Sequence, residues 1–262
     1  MNGPIIQQIS SAENALFKRI KKLADSARER RKSGETLLDG VHLLKAAADV
    51  SLEPQCIILR EGALVDAEIQ QCLVLFPQIK MIELPHRLFN QLSPVETPIG
   101  ILAVITIPKS VSVVHKAAVM LENIQDPGNL GSIIRTTAAA GIERICLSKG
   151  CAEAWSPKSL RSGMGAQFNI EIVEQVDLDN EVKNYNKVIV TSLDAAVSLY
   201  DIELTNSVAF VFGNEGAGVS EGLLSRATHK VKIPMPGNIE SLNVSAAVAI
   251  CLFERVRQME SK

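Results

Sequence analysis

Three short stretches of this chain combine residue types that can hold a ligand and act on it. The first, NIQDPGNLGSIIRTT at 123–137, builds a turn from Asp126, Pro127 and Gly128, places Asn129 to cap a helix, and carries Arg135 about two turns further in. The second, FVFGNEGAGVS at 210–220, has glycines at 213, 216 and 218 that let the backbone approach a ligand closely or take positive φ. Its order is G-x-x-G-x-G, without the acidic residue after a second strand that a dinucleotide site requires, and the chain holds no G-x-x-x-x-G-K-[ST] phosphate loop. In the third, IPMPGNIESLNVSAA at 233–247, a proline-containing turn delivers Ser241, Leu242 and Asn243 directly before a helix. Ser241 or Asn243 could simply cap that helix. Each stretch alone is equally what a capped or glycine-rich turn looks like.

Such residues need elements that present them together. Up to residue 107 the pattern alternates through ETLLDG, the helix-like VHLLKAAADV, the apolar QCIILR, the amphipathic LVDAEIQQCLVLF, IKMIEL, a short helix in PHRLFNQLS, and the β-branched strand IGILAVITI. This reads as a compact α/β unit. Pro108, Lys109 and the weakly periodic SVSVVHK read as a linker, so domains are expected at 1–109 and 110–262. The second section starts again with the strand AAVMLEN and the helix LGSIIRTTAAA. IERICLS, FNIEIVE, KVIVTS, SVAFVF and HKVKIPM follow as strands, mostly separated by helices. That alternation predicts a mostly parallel sheet covered on both faces, with ligands at loops beyond the carboxyl ends of strands. The last helix is apolar nearly all round from Val244 to Phe253, and is expected to bury one side on the sheet and the other on a partner subunit.

Composition narrows the function classes. With 262 residues, 47% of them hydrophobic and 21% charged, the chain can bury a substantial core, which excludes a disordered or disulfide-scaffold protein. No apolar run reaches the ~18–20 residues of a membrane span. With no signal-peptide pattern expected either, the reading is cytoplasmic. The five cysteines are widely spaced without C-x-x-C, and the four histidines lack zinc spacing to any of them, so reduced thiols and no metal are expected. The net charge is only −2, yet residues 18–32, KRIKKLADSARERRK, carry eight cations against Asp25 and Glu29. Leu16, Phe17, Ile20, Leu23, Ala24 and Ala27 recur at helical spacing, which predicts one basic amphipathic helix. Its charged face is either merely solvated or a contact for a polyanion such as nucleic acid.

The strings DPGNLGSIIRT, FGNEGAGVS and IPMPGNIESLNVSAA, in this order, closely resemble the three signature motifs of the SpoU family, the TrmH-type enzymes of the SPOUT methyltransferase superfamily. ETLLDGVHLL and TPIGILAV make the upstream section resemble the RNA substrate-binding domain often fused to these enzymes. The resemblance implies an α/β fold in which a C-terminal trefoil-knotted methyltransferase domain follows a smaller N-terminal α/β RNA substrate-binding domain. The knot would run from FGNEGAGVS through IPMPGNIESLNVS. It further implies a homodimer that transfers a methyl group from S-adenosyl-L-methionine to a ribose 2′-hydroxyl in RNA, without a metal. Ribosomal RNA is favoured over transfer RNA because the substrate-binding domain is present.

Carried over position by position, the family's cofactor contacts fall on Gly213, Ile233 and Leu242, largely through backbone groups, and its catalytic set on Asn129, Arg135, Glu215, Ser241 and Asn243. A ribose hydroxyl is a poor acid and needs a base, or a group that stabilises its alkoxide, as it attacks. Arginine keeps its proton in proteins. Arg135 is therefore read as holding the adjacent phosphate and stabilising the alkoxide. Asn129 would orient Arg135 or the ribose, Ser241 and Asn243 would bind substrate phosphate or ribose, and Glu215 would order the cofactor loop. A transfer-RNA ribose methyltransferase and a non-catalytic RNA-binding or ribosome-assembly protein are the alternatives. Retention of Asn129, Arg135, Glu215 and Asn243 favours an enzyme.

Overall fold

The computed structural model describes residues 6–109, 116–214, 216–237 and 239–261. Residues 110–115 of the expected linker and the candidate Glu215 lie outside them. The chain divides into two compact units: residues up to Lys109 together with Trp155–Phe168, and Ser110–Ala154 together with Asn169–Lys262.

In the first unit β1 (Ile6–Gln8), α1 (Ala15–Asp25), α2 (Ala27–Ser33), β2 (Glu35–Asp39), α3 (Val41–Asp49), β3 (Cys56–Arg60), α4 (Ala67–Val74), β4 (Met81–Leu84), α5 (His86–Phe89) and β5 (Ile101–Thr106) follow in order. The strands form a sheet in the order β1-β4-β3-β5-β2, parallel across β1, β4 and β3 and antiparallel on both sides of β5. Phe17, Ile20 and Leu23, three residues apart on α1, pack into one core with Leu88 and Phe89 of α5 and with Leu37, Ile58 and Leu102 of the sheet.

The basic stretch is two helices, not the single one expected. Ser26 leaves helical geometry at φ −123° and ψ 112°, and its hydroxyl accepts the Glu29 N–H to cap α2. The chain turns there around Arg30, which is buried and donates to the carbonyls of Leu23 and Ala24, the end of α1 that has no intrahelical partner. Arg30 is thus part of the fold. Lys18, Arg19 and Lys21 pair with Glu13, Glu35 and Asp25. Lys22, Arg28, Arg31 and Lys32 remain at least partly exposed, with no ion pair among the described residues.

The second unit runs β6 (Ala117–Leu121), α6 (Pro127–Ala139) and β7 (Arg144–Leu147). After an excursion into the first unit through α7 (Pro157–Gly163) it continues with β8 (Glu171–Val173), α8 (Leu178–Glu181), β9 (Lys187–Thr191), β10 (Val197–Ser198), β11 (Val208–Phe212), α9 (Glu221–Arg226), β12 (His229–Lys232) and α10 (Val244–Glu260). The excursion is held by the Thr36 hydroxyl, which donates to the Trp155 carbonyl at 2.6 Å, and by packing of α7 on β2. The sheet order is β10-β12-β9-β11-β6-β7-β8 and every pairing is parallel. Ala118, Met120, Ala209 and Val211 face Leu178 and Val182 of the α8 region and Leu223 of α9. Their strand neighbours Val119, Leu121, Phe210 and Phe212 point the other way.

Helix α10 packs against α6 and carries two apolar stripes rather than a uniform apolar surface. Val244, Val248, Cys251 and Leu252 are buried, whereas Ala246, Ala249, Ile250 and Phe253 form a second stripe that is half-buried to exposed. No helix among the described residues is long and apolar enough to cross a membrane.

Candidate functional site

Because β12, β9, β11 and β6 are adjacent and parallel, their carboxyl ends lie along one edge of the sheet, and the loops that leave them are neighbours. Loop one leaves β6. Asp126, not Asn129, caps α6: its Oδ1 accepts the Asn129 N–H at 2.7 Å, and Pro127 takes the first helical turn, where no N–H is needed. Gly128 is required beside this cap, since a Cβ there would stand 2.8 Å from Asp126 Oδ1.

With Asp126 as the cap, Asn129 sits inside the first turn and its side chain meets the third loop. Asn243 Nδ2 donates to Asn129 Oδ1 at 3.1 Å. The same Asn243 caps α10, its Oδ1 accepting the Ser245 N–H at 2.9 Å. One carboxamide therefore starts the last helix and ties it to α6. Arg135 lies six residues beyond Asn129, about 9 Å along the helix and about 120° round it, and the two side chains share no hydrogen bond. Arg135 is exposed and makes no hydrogen bond or ion pair among the described residues.

The second loop leaves β11 and folds on itself. Asn214 and Gly218 pair as an isolated bridge, Gly218 N–H donating to the Asn214 carbonyl at 2.8 Å. A Cβ on Gly213 would stand 2.1 Å from the Gly218 carbonyl oxygen. Gly213 is thus needed first for the loop to close on its own backbone, a reason that differs from ligand approach.

The second and third loops enclose a cavity of about 410 Å³. Gly213, Ile233 and Leu242, the expected cofactor contacts, all line it, and so does Ser241. Asn129, Arg135 and Asn243 do not. Phe212, Val219, Val231 and Val244 supply apolar walls. A polar side comes from Thr191, Ser192 and Asp194, which sequence reasoning missed. Asp194 is the charged residue among the described lining residues. The available signal was position: these residues follow the parallel strand β9 at the same edge of the sheet. Among the described residues no cluster of three His, Cys, Asp or Glu side chains is placed to hold a metal ion.

Burial disfavours the thiolate form of the cysteines around this sheet. Burial pushes the Cys146 thiol up to about 11 and the Cys251 thiol up to about 12. A second feature lies in the first unit, where a cleft of about 470 Å³ is lined by Lys18, Arg19, Lys22 and Lys32 with Glu29 and Glu35.

A model described as the SpoU rRNA Methylase family matches residues 116–253, and an MRM3-like substrate binding domain matches residues 14–103. The chain is 32% identical, over 95% of its length and 98% of the relative's, to the 23S rRNA (guanosine(2553)-2'-O)-methyltransferase RlmP of Bacillus subtilis. A crystal structure of an RNA 2'-O ribose methyltransferase superposes with a TM-score of 0.83 at 26% identity, covering 97% of this chain and all of the other. An AdoMet-bound rRNA methyltransferase from Sinorhizobium meliloti shares the fold, with a TM-score of 0.83 at 24% identity over 97% of this chain and 98% of the other.

Proposed function

The chain belongs to the SpoU rRNA methylase family, and on that premise we propose that it methylates a ribose 2′-hydroxyl of ribosomal RNA, with S-adenosyl-L-methionine held between its second and third loops. The observation that carries this reading is the cavity itself. It gathers Gly213, Ile233, Ser241 and Leu242 from two distant stretches of sequence into one chamber, of a volume that suits a nucleoside joined to an amino acid. Its apolar walls fit an adenine face, and Asp194 on the polar side fits a cationic ligand. When bound, the cofactor supplies a methyl group on a positively charged sulfonium.

The remaining tasks fall to the chain. Arg135, exposed and unengaged, holds the phosphate next to the target ribose and stabilises the developing alkoxide as the hydroxyl passes its proton to solvent water. The Asn129–Asn243 pair fixes α10 against α6 and presents carboxamide edges to the ribose. Ser241 reaches substrate from the cavity rim, and Glu215 orders the cofactor loop. Residues 1–109 bind the RNA substrate, through the unpaired Lys22, Arg28, Arg31 and Lys32, and residues 110–262 carry the reaction, in the cytoplasm.

Two structural proposals accompany this. The chain acts as a homodimer, docked through the second apolar stripe of α10, where Phe253 is 48% exposed. The C-terminal segment is knotted. In support, β12 lies beyond β9 from β6, yet α10 packs on α6, so the chain recrosses the sheet edge after β12.

The test uses alkaline cleavage, in which the ribose 2′-oxygen attacks its neighbouring phosphate. A methyl on that oxygen leaves one rung of the ladder resistant. Ribosomal RNA from cells lacking the protein should gain cleavage at a defined position, and wild-type protein with S-adenosylmethionine should restore resistance. Arg135→Ala should bind cofactor normally and restore resistance about 10²–10³ times more slowly, as for removal of one charge-stabilising group. A methyl on a base atom, or normal rates with Arg135→Ala, overturns the reading.

A further inference from the structure

The first and second loops are joined by two side chains, Asn214 and Glu122, that neither the expected cofactor contacts nor the catalytic set includes. Strands β6 and β11 pair in parallel up to Leu121 and Phe212, and the Glu122 N–H adds one further rung to the Phe212 carbonyl at 2.9 Å. Beyond that rung the ladder ends and side chains take over. Asn214 Nδ2 donates to the Asn123 carbonyl at 3.1 Å. Its Oδ1 accepts from the Gly216 and Ala217 N–H groups at 2.9 and 3.2 Å. At the far end of the loop, Glu122 Oε2 accepts the Ser220 N–H at 2.7 Å.

The two ends of the Asn214 carboxamide thus do different work. The oxygen shapes the glycine-rich turn, and the amide nitrogen ties that turn to Asn123. Asn123 is itself held in place. It takes the left-handed φ of 57°, and its N–H donates to Ser148 Oγ at 3.0 Å. Three residues later comes Asp126, the cap of α6, whose Oδ1 fixes the first turn at Asn129. A short path of hydrogen bonds and chain therefore runs from the wall of the cavity to the helix that bears Asn129 and Arg135.

We propose that Asn214 is a positioning residue that sets the cofactor loop against α6, so that the transferable methyl and the groups acting on the ribose are held in line. This rests on the methyltransferase reading above. In-line transfer is sensitive to alignment, and a misplacement of ~1 Å can cost about a hundredfold in rate.

Asn214→Asp separates the two roles. It keeps the oxygen that accepts from Gly216 and Ala217 but loses the donor to Asn123. The proposal expects cofactor affinity, measured by calorimetry with S-adenosylhomocysteine, to stay within about threefold of wild type, since the loop's internal bonds persist. It expects kcat at saturating cofactor and RNA to fall at least about tenfold. Amide hydrogen exchange across residues 123–129, measured without cofactor, should speed up about tenfold in the same variant. Asn214→Ala should lose affinity as well, because both roles go. Unchanged kcat in Asn214→Asp, unchanged exchange, or equal loss of affinity in the two variants overturns the proposal. A wild-type protein that makes no 2′-O-methyl product would instead refute the function on which it rests, while exchange at 123–129 would still report on the tie itself.

Discussion

The three glycines of the second loop should respond in three different ways when each becomes alanine. At Gly213 the new Cβ would meet the Gly218 carbonyl oxygen at 2.1 Å, the Gly218 carbonyl carbon at 2.2 Å and the Val219 nitrogen at 2.5 Å. All three are backbone atoms and cannot rotate away. Ordinary contact begins at 3.4 Å, so the loop must open by about 1.3 Å. That opening breaks the bridge from Gly218 N–H to the Asn214 carbonyl and loosens the two bonds to Asn214 Oδ1. At ~1 kcal/mol for each bond, two or three broken bonds come to about 2–3 kcal/mol. If that is borne by the bound state, cofactor affinity falls about 30- to 150-fold. At Gly216 the nearest atom to a new Cβ is Asn214 Oδ1 at 3.4 Å, and φ is not left-handed, so affinity should change by less than about threefold. At Gly218 there is open space, but φ is +69°, where an alanine costs ~1–2 kcal/mol and asparagine costs less. Calorimetry with S-adenosylhomocysteine on the four variants G213A, G216A, G218A and G218N, each checked for native thermal unfolding, gives the ranking. Wild-type affinity in G213A, or G216A as weak as G213A, would refute the reasoning.

Replacing Lys22, Arg31 and Lys32 with alanine should weaken RNA binding and flatten its salt dependence, by roughly 0.7–0.9 in log–log slope for each phosphate that is no longer neutralised, with cofactor affinity unchanged. By contrast Arg30→Ala should lower Tm, because it strips buried charged hydrogen bonds from the end of α1 at a cost of roughly 1.5–3 kcal/mol each. RNA binding measured against salt and a thermal melt separate the two classes. In α10, hydrogen bonds from Arg257 hold the Glu254 carboxyl below its ordinary 4.5, opposed by burial and aided by Gln258. A depressed carboxyl stabilises the fold above its unfolded value and loses that contribution as pH falls through the folded one. Glu254→Gln should therefore lower Tm at pH 7, with the gap to wild type closing below about pH 4, and a pH-independent gap would count against the ion pair as its cause.

Most elements were legible because their signal is local. The alternation of strand and helix, the buried strands Ala117–Leu121 and Val208–Phe212, and the apolar face of α1 all follow from side-chain period. The break at Ser26 was hidden by the same reasoning. Apolar residues continue at helical spacing from Leu23 through Ala27, so periodicity runs straight across it. Ser26 followed by Glu29 is a capping-box spacing, and that was the available sign of a new helix. Strands β1 and β10 were not visible at all. They are three and two residues long, at the two sheet edges, and are defined by backbone pairing rather than by side-chain pattern.

Within the site, spacing located the loops but did not tell which side chain is consumed by structure and which is left for chemistry. Asp126 before Pro127 marks a helix start more strongly than Asn129 does, since proline belongs in the first turn. Once Asp126 caps α6, the Asn129 carboxamide is turned toward Asn243. The arginines make the same point through charge. Arg144 is neutralised by Glu171 and Glu181, Arg257 by Glu254, and Arg30 is engaged with helix carbonyls. A guanidinium with a carboxylate already in its fork has little left for a phosphate. Arg135 has no such partner among the described residues, and its exposed position on α6 spares it the cost of burying an unpaired charge. Its guanidinium is therefore available to an anionic ligand, as the proposed stabilisation of a ribose alkoxide beside a phosphate demands.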